Sequence, residues 1–252
     1  MPLFLSEAYL LQLGAMQIVA ALLVFVWTGF VRSGLGFGGA AFGLPLMLLI
    51  DDSPLFWLPM IGAHLLFFTA FTLLSRIRLV DWSYLGRSLR WILPAKLAGV
   101  FGLLNLPNNW LVLIIYSITL FYALLWLFAL KIQSKGGWSD PVLLLIGGYV
   151  SGTSLTGAPM LVAVYMQHVA LNTLRNTLFV LWFLLVTIKM GALVAFDVPL
   201  HLASALWLLP CAALGHYFGL KVHEFMLRHD APAKRILGAA LAVICILGLI
   251  FR

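Results

Sequence analysis

Long apolar runs separated by short polar loops are the dominant pattern along this chain. Four runs reach the roughly 20 apolar residues that an α-helix needs to cross a bilayer, and two shorter runs come close to that length. The long runs lie at residues 55–74, 110–130, 177–196 and 200–220, and the shorter ones at 88–104 and 236–251. The pattern predicts an all-α fold, a polytopic bundle of transmembrane helices.

Two further apolar regions are interrupted by glycine and small polar residues. Residues 32–39 read RSGLGFGG within the apolar stretch 17–50, and residues 151–159 read SGTSLTGAP within the stretch 141–168. Glycine permits backbone dihedrals that break a helix. A break at membrane depth is tolerated only where it is buried in protein or lines a watery cavity. Each region is therefore predicted to form a broken crossing or a re-entrant hairpin.

The two halves of the chain resemble each other. Ser33-Gly34 and Gly39 recur 118 residues later as Ser151-Gly152 and Gly157. The pattern W-x-x-P-x-x-x-x-G also occurs twice, at 91–99 and 207–215, each time with an aspartate ten residues upstream. Matches in nearly constant register indicate a duplication. We infer two transmembrane repeats, 1–131 and 140–252, joined by a cytoplasmic linker at 132–139. Each repeat has one interrupted segment and three full helices.

Loop charge bears on the orientation of the repeats. Lysine and arginine concentrate in the loops 75–90, 131–135 and 221–235, and short cytoplasmic loops are enriched in these residues. If the stretch 141–168 is re-entrant, all three basic loops fall on the cytoplasmic side. Each half then crosses three times, an odd number, so the halves are inverted relative to each other, a known transporter construction. Two parallel halves of four crossings remain the alternative.

Composition agrees with a membrane protein. The chain is 63% hydrophobic and 9% charged, whereas soluble domains carry roughly 25% charged residues. The net charge of +7 lies mostly in loops, which suits membrane orientation better than nucleic-acid binding. Two separated cysteines form neither a disulfide framework nor a metal motif. We expect a lipid bilayer as partner, with no cofactor, no metal and no nucleic acid. The N-terminus lacks the basic region of a cleaved signal peptide and carries Glu7.

The ionisable residues inside the apolar runs are all basic or imidazole. Buried ionisable groups in spans are costly and mark functional candidates, and no acidic residue lies at the centre of a span. This asymmetry favours an anionic substrate. Helices that start near the two glycine breaks would add partial positive charge near the membrane midplane, where the two N-termini would form an anion site. The predicted substrate-binding residues are Arg32, Ser33, Gly38, Gly39, His64, Lys96, Ser151, Ser154, Thr156, Gly157, Asn176 and Thr177.

Several of these positions also have structural interpretations. The spacings Gly34/Gly38 and Gly39/Gly43 are GxxxG patterns, which often mean close helix packing. Arg32 either binds the substrate or extends its charged end to a membrane interface. For Lys189, which lies nearer a helix end, we expect extension to the interface. His64 and His216 titrate near neutral pH in general, which makes protons a candidate coupling ion.

The two interrupted segments resemble a known family. S-G-L-G-F-G-G-A at 33–40 and S-G-T-S-L-T-G-A-P at 151–159 are similar to the paired Gly-rich motifs of the TauE/SafE sulfite exporters. The resemblance covers nearly the whole chain and includes Asp81-Trp82. It implies transport of sulfite, sulfonates or small carboxylates across the bacterial inner membrane. The second motif departs from the family at Thr156, where another glycine is usual.

Three functions are compatible with these sequence features. The first is a secondary carrier for a small anion, favoured by the duplicated break and the cation-only interior. The second is an intramembrane serine hydrolase that uses Ser154 and His216, although the GxSG motif of such proteases is absent. The third is a non-catalytic membrane scaffold, in which the glycines serve packing alone. The sequence favours the carrier, which is not an enzyme.

Overall fold

A computed structural model describes residues 13–35, 39–228 and 230–250. This part of the chain is helical throughout and holds ten α-helices, which confirms the all-α prediction. They are α1 (Ala15–Leu35), α2 (Gly39–Ile50), α3 (Pro54–Arg76), α4 (Trp82–Asn105), α5 (Asn108–Leu127), α6 (Ser139–Ser154), α7 (Ala158–His168), α8 (Leu171–Ala195), α9 (Leu202–Arg228) and α10 (Asp230–Ile250), with a 3₁₀ turn at Ile77–Leu79 between α3 and α4.

Four helices are long and apolar enough to cross a membrane within the described residues. These spans are Ala15–Gly34, Asn108–Leu127, Leu171–Ala195 and Leu202–His223. Helix α4 is also long enough, at 24 residues, but three cations interrupt its apolar sequence. The polytopic prediction is therefore confirmed in its essentials, although the predicted run 55–74 corresponds to a shorter apolar helix, Pro54–Ala70. Asp81 caps α4, because its carboxylate accepts a hydrogen bond from the Tyr84 N–H at 2.9 Å.

The chain folds into two compact units, each assembled from segments of both predicted repeats. The first unit comprises residues up to Met60, Pro107–Lys131 and the residues from Pro199 onward. It contains α1, α2, α5, α9 and α10. The second unit comprises Ile61–Leu106 and Ile132–Val198, and contains α4, α6, α7, α8 and most of α3. The predicted repeats 1–131 and 140–252 are a different division of the chain, based on sequence similarity between its halves. That division stays a prediction.

The first glycine-rich segment forms a helical hairpin. The Gln17 amide near the start of α1 donates a hydrogen bond to the carbonyl of Ile50, the last residue of α2, at 2.9 Å. Gly43 of α2 lies against Thr28 of α1, where any larger side chain would overlap the threonine methyl group. The two helices are therefore antiparallel, and the chain reverses direction at the break.

The second glycine-rich segment repeats this hairpin in the other unit. Asp140 in the first turn of α6 pairs with His168 at the end of α7, with 2.6 Å between Oδ2 and Nε2. Gly147 of α6 faces Leu161 of α7. Between the helices, Leu155 adopts the left-handed conformation, with φ 60° and ψ 14°, which ends α6 and turns the chain back. Of the two predicted alternatives, both segments therefore form a hairpin and not a single broken crossing.

Glycines from the sequence repeat carry equivalent helix crossings in the two units. In the second unit, Gly99 of α4 lies directly against the backbone of Tyr149 and Gly152 in α6. In the first unit, Gly215 of α9 lies in the same way against the backbone of Val26 in α1. A Cβ atom at either glycine would overlap a backbone carbonyl oxygen. The repeated W-x-x-P-x-x-x-x-G pattern therefore ends on a glycine needed for backbone contact.

We expect Gly99→Ala to destabilise the protein by about 1–3 kcal/mol, because the added methyl group would overlap backbone that cannot rotate away. Gly86→Ala is the matched control on the same helix, since nothing lies within 4 Å of a Cβ atom built there. Thermal unfolding of both purified proteins in detergent measures the difference. Equal melting temperatures for the two variants would contradict the crossing described here.

Candidate functional site

Two buried lysines bind the C-terminal end of α6 in the second unit. The Lys96 ammonium group donates to the carbonyl oxygen of Ser151 at 3.2 Å and to its hydroxyl at 3.1 Å. The Lys189 ammonium group donates to the carbonyl oxygens of Gly152 at 2.9 Å and Thr153 at 3.1 Å. The last carbonyls of a helix have no partner within the helix. Here Lys189 supplies the partners of the Gly152 and Thr153 carbonyls, and Lys96 joins the Leu155 N–H at the Ser151 carbonyl.

The charge of this end of α6 is unbalanced. Lys96 is 0% exposed and Lys189 is 1% exposed. Within the residues that the structure describes, neither lysine forms an ion pair with a carboxylate. The helix end contributes a partial charge of roughly −0.5 against two ammonium charges. Because buried charges are normally paired, this excess of positive charge is the feature of the second unit that most needs an explanation.

The break itself adds hydroxyl groups and a helix N-terminus. Ser154 donates to the carbonyl of Val150 at 3.1 Å and lies 2.6 Å from the Thr156 hydroxyl oxygen. Both side chains are buried. Helix α7 begins at Ala158, with a proline in its first turn, and its first N–H groups and positive dipole end point back toward the break. Gly157 packs so closely on Gly147 that no side chain fits there.

The first unit carries a related arrangement at the end of α1. The Ser33 hydroxyl donates to the Gly29 carbonyl at 2.9 Å and makes a short hydrogen bond with Nδ1 of His216. His223 donates from Nδ1 to the Gly34 carbonyl at 2.8 Å. Imidazoles from α9 thus occupy the place that lysines take in the second unit. Arg32 lies in the same last turn of α1, where its β-carbon faces Gly39. Gly38 lies outside the described residues.

The three remaining predicted residues are buried, but Thr177 has a structural role. Its hydroxyl accepts a hydrogen bond from the Asp81 N–H and donates one to the Thr173 carbonyl, both at 2.9 Å. It therefore fixes the residue that caps α4. His64 and Asn176 are buried in α3 and α8, at 5% and 7% exposure. Their predicted contact with substrate stays a prediction.

Lys189 is the residue that sequence reasoning misplaced. It is buried against α6 instead of extending to an interface, so its interpretation as a snorkelling side chain is wrong. A signal was available, because Lys189 lies toward the Asp197 end of its span, opposite the basic loops. A cation at that end goes against the usual distribution of charge, and burial for a specific contact accounts for it.

Metal binding has no support among the described residues, which contain no cluster of three histidine, cysteine or acidic side chains. The described polar groups at the two helix ends are ammonium, imidazole, hydroxyl and backbone groups. They are suited to hold an oxyanion through charge and hydrogen bonds.

Comparison with known proteins agrees with this chemistry. The family model described as sulfite exporter TauE/SafE matches residues 21–250, nearly the whole chain. Neither a curated protein nor a solved structure matches the chain. The matched range contains the second hairpin, both lysines and the first hairpin from Ala21 onward. The chain therefore belongs to the TauE/SafE sulfite exporter family of membrane transporters.

Proposed function

We propose that the protein is a secondary carrier for a small anion such as sulfite, a sulfonate or a small carboxylate, in the bacterial inner membrane. The observation that carries this proposal is the pair of buried lysine side chains on one helix end, with no carboxylate partner among the described residues. A carrier for cations would instead need carboxylates along its path. The family supports membrane export of sulfite or a related anion.

Charge balance explains why an anion suits this place. Two ammonium groups and the start of α7 contribute about +2.5, and the end of α6 returns roughly −0.5. A bound monoanion or dianion reduces the excess and gains charge-assisted hydrogen bonds. The Ser151 hydroxyl, which accepts from Lys96, adds a neutral donor. The Ser154 hydroxyl donates to Val150 and lies against Thr156, so contact of these two residues with the anion stays a prediction. In the first unit we propose that Arg32, Ser33 and Gly39 contribute to anion binding in the same manner.

The hairpins also support the predicted topology. The arms of the second hairpin, at 16 and 11 residues, are too short to span, so it would enter the membrane and return on the same side. We propose the same re-entrant path for the first hairpin, although α1 has the length of a span. Three full crossings then remain in each repeat, and the repeats run in opposite directions, as in other transporters. That the two hairpin breaks meet at the membrane midplane stays a prediction. Proton coupling through His64 or His216 also stays a prediction.

The hydrolase alternative receives less support. The Ser154 hydroxyl is bonded to Val150 and Thr156, while His216 is bonded to Ser33 in the first unit. Each member of the suggested pair is therefore engaged by other groups. The scaffold alternative accounts for the hydrogen bonds of the two lysines to α6 but not for their positive charge, since neutral donors would serve the same carbonyls without the cost of burying a charge.

We expect purified protein in proteoliposomes to transport at least one anion from a panel of sulfite, thiosulfate, methanesulfonate and acetate. Lys96→Gln and Lys189→Gln should each lower the flux by roughly tenfold or more. A charge-assisted hydrogen bond contributes about 1.5–3 kcal/mol, and about 1.4 kcal/mol is tenfold. Glutamine keeps an N–H donor for the carbonyls of α6, which limits damage to the fold.

Lys131→Gln, in an exposed position of the linker region, is the matched control and should transport at the wild-type rate. Melting temperatures of all variants are measured alongside. Wild-type flux in both buried-lysine variants would remove the lysines from the site. No flux for any anion in the wild-type protein would overturn the carrier.

A second comparison tests the first unit. We expect Arg32→Gln to reduce anion flux severalfold, because it removes a cation from the last turn of α1. Arg90→Gln is the control, since Arg90 is exposed and faces the ring of Trp91. Equal transport by the two variants in the proteoliposome assay would show that Arg32 does not line the route.

A further inference from the structure

The two lysines of the second unit differ in how their hydrogen bonds are shared. Lys189 has two acceptors, the carbonyl oxygens of Gly152 and Thr153, and both require an N–H donor from the lysine. One acceptor of Lys96 is the Ser151 hydroxyl, which is able to donate as well as accept. The bonding of Lys189 therefore fixes two N–H groups and leaves its third with no acceptor in the described part of the chain.

A neutral lysine amine has two N–H groups, and an ammonium group has three. The two carbonyls thus hold Lys189 equally well in either protonation state. Only the third proton needs a further acceptor, and an anion beside the lysines would supply it. If the proton leaves together with the anion, both remaining N–H groups of Lys189 stay bonded to carbonyls. If the anion leaves alone, one buried N–H has no acceptor, which costs about 1–3 kcal/mol.

The charge count gives the same result independently. With both lysines charged and a monoanion bound, the lysines, the end of α6 and the anion sum to roughly +0.5. With the anion gone and one lysine neutral, the sum is again roughly +0.5. With the anion gone and both lysines charged, it rises to roughly +1.5 in a place that is closed to water. Moving a proton with the anion keeps the buried charge constant through the cycle.

Other ionisable groups on the helices packed against Lys189 do not replace the missing counter-charge. Lys96 bonds the same end of α6 and is itself a basic side chain, so it supplies no counter-charge. Asp140 lies about 17 Å along α6 from Ser151 and is paired with His168. The other titratable or charged side chains that the structure describes in or beside these elements are His64 on α3, Arg78 in the 3₁₀ turn, Asp81 at the start of α4, Tyr84, Arg87 and Arg90 on α4, Tyr149 on α6, Tyr165 on α7 and Arg175 on α8. Asp197 follows α8 and lies about 12 Å along that helix from Lys189.

From this geometry we propose that Lys189 binds and releases one proton together with each monoanion, so that the protein is a proton–anion symporter. In this step the amine of Lys189 takes a proton from water and the anion binds to the resulting ammonium group. Release reverses both events. The inference rests on the proposed carrier function, and it assigns coupling to a lysine instead of the histidines that the sequence suggested.

The test uses methanesulfonate, an anion of a strong acid that carries no proton of its own. In proteoliposomes of the wild-type protein, an inwardly directed proton gradient should drive uptake to about tenfold accumulation per unit of pH difference. An inside-positive membrane potential should have little effect, because a monoanion and a proton together carry no net charge. In detergent, a pH-sensitive dye should report uptake of about one proton per methanesulfonate bound.

Lys189→Arg is the decisive variant, because arginine keeps a positive charge and N–H donors but is not deprotonated in proteins. It should still bind methanesulfonate, take up no proton on binding and respond to the membrane potential instead of the pH gradient. Lys131→Arg is the matched control and should behave as the wild-type protein. Should Lys189→Arg fail to fold, the proton count of the wild-type protein still decides.

The outcomes separate the two proposals. Anion flux that ignores a pH gradient, or binding without proton uptake, would overturn the symport and leave the carrier intact. Unchanged proton coupling in Lys189→Arg would overturn the role of Lys189. Absence of binding and flux for every anion in the panel would overturn the carrier, and the symport with it.

Discussion

The unsatisfied carbonyls at the end of α6 are the constraint on which the second unit depends. A helix that stops inside a membrane protein must find donors for its last carbonyls, because neither lipid nor the helix supplies them. Lys189 supplies the donors for the Gly152 and Thr153 carbonyls, and Lys96 adds a second donor at the Ser151 carbonyl, which the Leu155 N–H also bonds. The same contacts that allow α6 to end also bring two positive charges to one buried place. In the proposed function, a requirement of the fold thus also provides the groups that bind the anion.

The first unit meets the same requirement with different chemistry. Serine and imidazole groups bond the last turn of α1, and the imidazoles come from α9. In both units the partner helix approaches through a glycine of the repeated pattern, Gly99 or Gly215. Backbone contact at these glycines permits the close approach that the side-chain contacts need. The repeated W-x-x-P-x-x-x-x-G pattern therefore accompanies a similar helix contact in each unit, while the side chains that bond the helix end differ.

Much of the helical architecture follows from hydrophobic pattern alone, because a span must be apolar over its whole length. The run predicted at 110–130 forms α5, Asn108–Leu127. Helix α4 begins earlier than its predicted run because Asp81 caps it, and apolarity carries no information about that cap. The choice between a broken crossing and a hairpin depends on Leu155 in a left-handed conformation, which sequence periodicity does not reveal. Partners such as Lys189 and Thr153 depend on packing across helices, so their pairing was beyond sequence reasoning.

The central claim is that the lysine pair on α6 holds the transported anion. Anomalous diffraction from crystals grown with a bromine-labelled sulfonate tests it most directly, because the label reports the position of the anion without assumptions about flux or coupling. The account predicts an anomalous peak beside the ends of Lys96 and Lys189, with sulfonate oxygens about 3 Å from both nitrogen atoms. A well-occupied label elsewhere, with the two lysines bonded to protein groups alone, would contradict it.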